Sequence, residues 1–339
     1  MTENNNNLDI DLDKEALSQV EQELFTIQRE RESAYVMIKQ GPITNALSRV
    51  SDKTPAKYTG LNAENKIINI TNGQTDVKIM IEKFANTKLS ISTSKLLRII
   101  EMKYSDSGRT TIEIPLEEYM EYTGRKDEKE ARKNLKTDLN TLWNISCKAK
   151  STDHNGKTIE IDFRVLDAKA NINNSIINVH LGCAIASYLN TCTLMPYHKK
   201  LLSISNHYPY AYYLGDKITE QKKYHMYDDS FQVSVKTLID ICIANGLPTY
   251  EEVKNTCRRI EKRIIEPFEK NLDYCNEVFE WEYCNAKGVP LTEEQLADNS
   301  YGEFINRYIR VTFKDYKTGE YNPKKANKKK KVTKKKTSK

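Results

Sequence analysis

The stretch E251-EVKNTCRRIEKRIIEPFEKNLDYCNEVFEWE-Y283 decides how the chain is read. It opens with helix formers, carries five basic residues in the ten positions 254–263, and ends in an alternating aromatic run, Val278-Phe-Glu-Trp-Glu-Tyr283. Taken as one helix at about 100° per residue, Val253, Cys257, Ile260 and Ile264 fall on one side as an inward stripe. Asn255, Arg258, Arg259 and Lys262 fall opposite. Pro267 is expected to stop this helix, because proline has no N–H to continue the ladder. The segment PFEKNLDY (267–274) then leads into the strand.

The same pattern occurs earlier in the chain. IEIPLEEYMEYTG (112–124), KDEKEARKNLKTDLNTLW (126–143), ISCKAK (145–150), the polar turn STDHNGK (151–157) and TIEIDFRVL (158–166) follow in order. The later copy runs FQVSVKTLIDICIANG (231–246), TYEEVKNTCRRIEKRII (249–265), VFEWEYCN (278–285), a long polar loop and NRYIRVTF (306–313). Ile112, Ile114, Leu116 and Tyr119 align with Phe231, Val233, Val235 and Leu238 at a constant offset of 119. Each copy reads as a short strand, a short helix ended by glycine (Gly124 or Gly246), a second helix, and two strands in a hairpin. A further helix precedes each copy, SKLLRIIEMKY (94–104) and YPYAYYLGDKI (208–218).

That order predicts an α+β chain of two tandem winged-helix domains, each a helix-turn-helix plus a β-hairpin. The boundaries are an acidic mobile tail (1–33), a first domain with an N-terminal extension (34–182), a connector (183–206), a second domain (207–316) and a Lys-rich disordered tail (317–339). KIINI and VKIMI, within the extension and just after residue 74, look like added strands of the first domain.

In the first copy the second helix buries Ala131, Leu135, Leu139 and Leu142 and turns Lys129, Lys133, Lys136 and Asn140 outward. A cationic outer face is by itself an ordinary solvated surface. Its recurrence in both copies, each time on the second helix of a helix-turn-helix order, points to DNA. Arg presents a donor fork that fits guanine O6 and N7, Asn fits adenine N6 and N7, and Lys mainly neutralises phosphate. The Arg-rich second copy is therefore expected to read bases and the Lys-rich first copy to grip backbone.

Charge is polarised along the chain. Residues 1–33 hold nine acids and three bases, and residues 322–339 hold ten Lys and no acid, within a net charge of +6. The tails are thus expected to stay unfolded, the basic one available to any polyanion. Seven cysteines show no CxxC pair, so reduced, small apolar thiols are expected rather than a zinc site or disulfide framework. No apolar run approaches the roughly 20 residues of a membrane span, and a cytoplasmic protein is expected.

Catalysis is not expected. The five His show no HxH pair for the metal of a nicking enzyme, and no GxxxxGK[ST] is present for a nucleotide-hydrolysing motor. His198, in PYHKK, is read as structural or phosphate-touching. No cofactor or metal is called for.

Three phrases carry a family resemblance: LSISTSKLLRIIEMKY (89–104), MPYHKKLLSISNHYPYAYYLG (195–215) and RRIEKRIIEPFEKNL (258–272). With the internal repeat, they make residues 75–316 resemble the plasmid replication initiators that carry tandem winged-helix domains and bind iterons, the repeated sites of an origin. The resemblance implies that the second domain supplies the main base-reading helix, with Lys254, Asn255, Arg258, Arg259 and Lys262 in that position. It implies a first domain that dimerises or adds DNA contacts through Lys129, Lys133 and Lys136. It further implies promoter repression as a homodimer, plasmid copy control, and recruitment of host replication factors such as helicase. The acidic start, the insertion at 285–305 and the Lys tail depart from the family's pattern. A winged-helix transcription regulator of a phage or mobile element would share all of the DNA chemistry and lack only the initiator activity. A nucleoid-type binder relying on the Lys tail would show no sequence preference.

Overall fold

The computed structural model describes residues 34–314 and Tyr316, apart from 55–56, 60–64, 73–74, 83–88, 153–157, 174–175, 257–258 and 299. Both charged tails, the polar turn at 153–156, Cys257 and Arg258 lie outside the described residues. The architecture mixes helix and strand, α+β.

The chain enters through β1 (Tyr35–Gln40) and α1 (Pro42–Ser48). Then β2 (Lys57–Thr59), β3 (Asn65–Asn72) and β4 (Thr75–Ile81) form a meander. Val77, Ile79 and Ile81 of β4 are buried while Asp76 and Lys78 are exposed, the alternation of a half-buried strand. The extension therefore contributes strands, as KIINI and VKIMI suggest.

Helix α2 (Ile91–Ser107) starts where Ser90 accepts the Thr93 N–H at 3.2 Å and ends at Gly108, whose φ of 67° no other residue adopts as cheaply. β5 (Thr111–Pro115), α3 (Leu116–Thr123) and α4 (Glu128–Trp143) follow, and Leu116 and Tyr119 are buried as the i, i+3 pattern requires. Next come β6 (Ile145–Thr152), β7 (Thr158–Arg164), β8 (Leu166–Asn173) and β9 (Ile176–Leu181).

The first hairpin does not close the copy it follows. β6 and β7 pair with each other, but β6 then joins β4, giving a five-stranded sheet in the order β2-β3-β4-β6-β7. The partner of β5 is β9, itself in a hairpin with β8. The registers show why both arrangements bury apolar faces. Cys147 and Ala149 face Ile79 and Val77, whereas Ile112 and Ile114 face Val179 and Ile177. Alternation specifies which face of a strand is inward but not which strand it pairs with, and β5 pairs with β9 rather than with the nearer β6–β7 hairpin.

The connector is structured. It forms α5 (Cys183–Thr191), β10 (Thr193–His198) and the short α6 (Lys200–Ser203), and β10 pairs antiparallel with β1 along its whole length. His198 is buried, with its ring 4.6 Å from that of Tyr35 and its Nδ1 accepting the Lys200 N–H at 3.2 Å. This is a structural role.

The later copy comprises α7 (Ala211–Lys222), β11 (Ser230–Ser234), α8 (Val235–Ala244) and α9 (Tyr250–Asn255). A π turn (Glu261–Ile265) runs directly into α10 (Glu266–Asp273), followed by β12 (Phe279–Cys284), α11 (Glu293–Ala297), α12 (Tyr301–Asn306) and β13 (Tyr308–Phe313). Its sheet order is β11-β13-β12, in which β12 and β13 form the hairpin expected from the sequence and β11 joins β13. The offset of 119 holds at element level: β5 and α3 begin at residues 111 and 116, β11 and α8 at 230 and 235.

A buried charge cluster joins α1, α2 and α7. The Arg98 guanidinium, with no exposed surface, donates to Asp216 at 2.9 and 3.0 Å, Glu101 at 2.6 Å, Asn45 at 3.0 Å and Ser48 at 2.7 Å. Arg49 donates to Asp216 at 2.8 Å and pairs with Glu220 at 2.5 Å; Lys217 also reaches Glu220, at 3.0 Å. Burial alone would lower the Arg98 pKa, yet Asp216 and Glu101 hold it well above its ordinary value. Burial pushes the Glu101 carboxyl up, and Arg98 only partly offsets that. Burial also pushes Glu220 up, but Arg49 and Lys217 win and bring its carboxyl to about 2. The cluster stitches the helix before the first copy to the helix before the second.

Candidate nucleic-acid interface

Helix α4 carries the first cationic face. Asp127 caps it by accepting the Glu130 N–H at 2.7 Å. Ala131, Leu135, Leu139 and Leu142 are buried, and Lys129, Lys133, Lys136 and Asn140 are all exposed, the division the spacing predicts. Arg132 is held by Glu128 at 2.6 Å and Arg125 by Glu130 at 3.3 Å. None of the three Lys makes an ion pair among the described residues, so their charge is available to a ligand.

The inward side of α4 is fixed by a carboxylate. Asp138, 2% exposed, accepts from Ser92 at 2.5 Å, Thr93 at 2.7 Å and Ser90 at 3.3 Å. Burial pushes the Asp138 carboxyl up, and the three hydroxyls oppose that. The Ser/Thr-rich start of α2 therefore serves as the seat of α4. Nothing in the helix pattern of 126–143 alone revealed this, because Asp138 reads as one more surface charge.

The second cationic segment differs from the expected single helix. Helix α9 is closed at its start by a capping box, in which Thr249 accepts from the Glu252 N–H and Glu252 accepts from Thr249 N–H at 2.7 Å. It ends at Asn255; Thr256 and Arg259 are not helical, and Ile260 is helical again. Lys254 and Asn255 are exposed at the end of α9, Arg259 is exposed beyond it, and Lys262 is exposed in the π turn. These residues line one run of chain but not one continuous helical face, because Thr256 and Arg259 are not helical. The inward side is as expected where it is described: Val253 and Ile264 are buried and Ile260 is half-buried.

Pro267 does not stop the helix; it sits in the first turn of α10. In an α-helix its ring would meet the carbonyl of Arg263, four residues back. The chain instead widens into i→i−5 bonding, with Glu266 N–H donating to Glu261, immediately before the proline. The π turn also lets consecutive Ile264 and Ile265 both be buried. PFEKNLDY is therefore mainly helix, with Phe268 and Leu272 in the core.

The outer face of β4, β6 and β7 pairs Lys148 with Asp162 at 2.8 Å and Lys150 with Glu160 at 3.0 Å, beside an open recess of about 580 Å³. Cys147, Cys183, Cys192, Cys242, Cys275 and Cys284 carry free thiols. Among the described residues no group of three or more His, Cys, Asp or Glu is placed to hold a metal ion. No described helix is long and apolar enough to cross a membrane.

No family model matches the chain, and no curated protein does. Solved structures that resemble it include two of RctB domains 2 and 3. A selenomethionine derivative of domains 2 and 3 of RctB is 8% identical, with 81% of this chain and 98% of that chain covered at a TM-score of 0.48. A second structure of RctB domains 2–3 is 9% identical, with 80% and 97% covered at a TM-score of 0.41. At such identities the likeness is one of chain trace alone.

Proposed function

We propose that the chain is a sequence-specific double-stranded DNA-binding protein with two tandem winged-helix domains, acting as a replication initiator at repeated origin sites of a plasmid or mobile element. One observation carries the reading: equivalent segments of the two copies each expose several cations and an Asn, with no ion pair to those cations among the described residues, while apolar positions of the same segments are buried. Lys129, Lys133, Lys136 and Asn140 of α4 would grip phosphate. Lys254, Asn255, Arg259 and Lys262 would approach base edges, with Arg258 assigned to the same role from sequence alone. The hairpin β12–β13 supports the second set, and β8–β9 rather than β6–β7 stands in its place in the first. Initiator activity, a homodimeric promoter-repressing form, recruitment of a host helicase and a cytoplasmic location complete the proposal. They follow from the family resemblance together with these faces. No catalytic step is assigned.

The test has two arms. Duplexes selected by the protein from a random library should share a motif, and a plasmid carrying direct repeats of that motif should replicate only in cells supplying the protein. Selection of a motif without replication would mark a transcription regulator. Selection of no motif would remove the sequence-specific reading altogether.

A further inference from the structure

The insertion between β12 and β13, polar in sequence, folds into α11 and α12, and α12 lies against α8. Its two aromatic side chains reach different elements. Tyr301 stacks on Tyr250 of α9, with ring centroids 4.5 Å apart and planes 17° from parallel. Phe304, fully buried, meets Phe268 of α10 edge-on at 5.7 Å. These partners belong to the two halves of the interrupted cationic segment, one before the break and one after the π turn. Helix α12 thus bridges a segment in which Thr256 and Arg259 are not helical.

The far end of the bridge is anchored. Arg307, 6% exposed, donates to the carbonyls of Gln295 at 3.0 Å, Leu296 at 3.3 Å and Asp298 at 2.6 Å, closing the C-terminus of α11. Its guanidinium also lies 5.1 Å from the ring centroid of Tyr283, whose hydroxyl donates to Glu269 of α10 at 2.9 Å. The near end is lighter. Helix α9 has only six residues, too few to be stable alone, and its single fully buried side chain is Val253. Tyr250, its first residue, is held by Tyr301, and the Lys254 ammonium lies 5.7 Å from the same Tyr250 ring.

We propose that Tyr301 is a positioning residue for DNA reading: by stacking on Tyr250 it fixes α9, and with it Lys254 and Asn255, relative to Lys262 and α10. This rests on the reading of the second copy as the base-reading one. The insertion then acts as a brace beneath the cationic segment rather than as a free wing tip.

The test uses the full chain, a duplex selected by the wild type and a random-sequence duplex, with affinity read by fluorescence anisotropy. Tyr301→Ala should lose about 3- to 10-fold on the selected duplex, the range a lost ring stack corresponds to. It should change affinity for the random duplex by less than about twofold, and Tyr301→Phe, which keeps the ring, should match the wild type. Tyr301→Ala should relax the base positions that Asn255→Ala relaxes and leave those governed by Lys262. Free of DNA, it should speed amide exchange across 251–255 without doing so across α10. Equal losses on both duplexes, no loss on either, or unchanged exchange in α9 would overturn the bracing role. Should Tyr301→Ala fail to fold, Tyr301→Leu keeps the apolar cover and is read in the same way. A wild type that prefers neither duplex would instead overturn the base-reading assignment, and the positioning role with it.

Discussion

Asp216→Ala should be among the most damaging single changes in this chain. The carboxylate has no exposed surface and accepts from Arg98 at 2.9 and 3.0 Å, Arg49 at 2.8 Å and Ser48 at 3.3 Å. Removing it leaves the buried Arg98 guanidinium with Glu101 as its remaining carboxylate partner, a group burial already pushes towards its neutral form. Breaking a buried pair from one side costs about 3–5 kcal/mol, because the orphaned charge stays desolvated. At roughly 2–4 °C per kcal/mol for a unit of this size, the melting temperature should fall by about 10 °C. Lys148→Ala, which breaks an exposed pair with Asp162, should barely move it. Differential scanning calorimetry on the three proteins makes the comparison. A fall of less than about 2 °C for Asp216→Ala would mean that the cluster does not join α2 and α7 as described.

The same cluster predicts an acid dependence. Glu220 is depressed from 4.5 to about 2, so its contribution is fully present above about pH 4.5 and is lost as pH falls towards 2. Glu220→Gln should flatten that part of the melting-temperature profile. Ile264→Asp should unfold the later copy by burying an unpaired charge at a position 1% exposed, seen as loss of cooperative melting. Lys136→Ala should weaken binding to selected and random duplexes about equally, since a phosphate contact carries no sequence information; a selective loss on one duplex would contradict it. Deleting residues 322–339 should reduce the salt dependence of binding and leave sequence preference intact, because ten Lys contribute counterion release alone.

Local patterns in the sequence located much of the fold, and long-range partners escaped them. The recurrence at offset 119 placed β5 with β11 and α3 with α8, because matched apolar spacing reports matched burial. The Ala131–Leu142 stripe oriented α4 correctly for the same reason. Strand pairing was another matter: β6–β7 and β8–β9 both alternate, and only the three-dimensional competition for β5 separates them. Proline at 267 reads as a stop by its missing N–H, but a π turn accommodates it without ending the helix. The Tyr301–Tyr250 and Arg98–Asp216 contacts link residues 51 and 118 positions apart, beyond any helical or strand period. The insertion's Thr292–Gln295 and Ser300–Glu303 caps were visible in principle as helix starts within a segment read as loop.

The central claim is that the exposed cations of the second copy read base edges. It is tested most directly by comparing Arg259→Ala with the wild type on a wild-type-selected duplex and on a panel carrying single base-pair changes. Arg259 is exposed, so the substitution should leave the melting temperature close to that of the wild type. The account predicts a loss of about 1–3 kcal/mol on the selected duplex, with discrimination relaxed at one base position and kept elsewhere. Unchanged affinity, or a uniform loss across the whole panel, would contradict it.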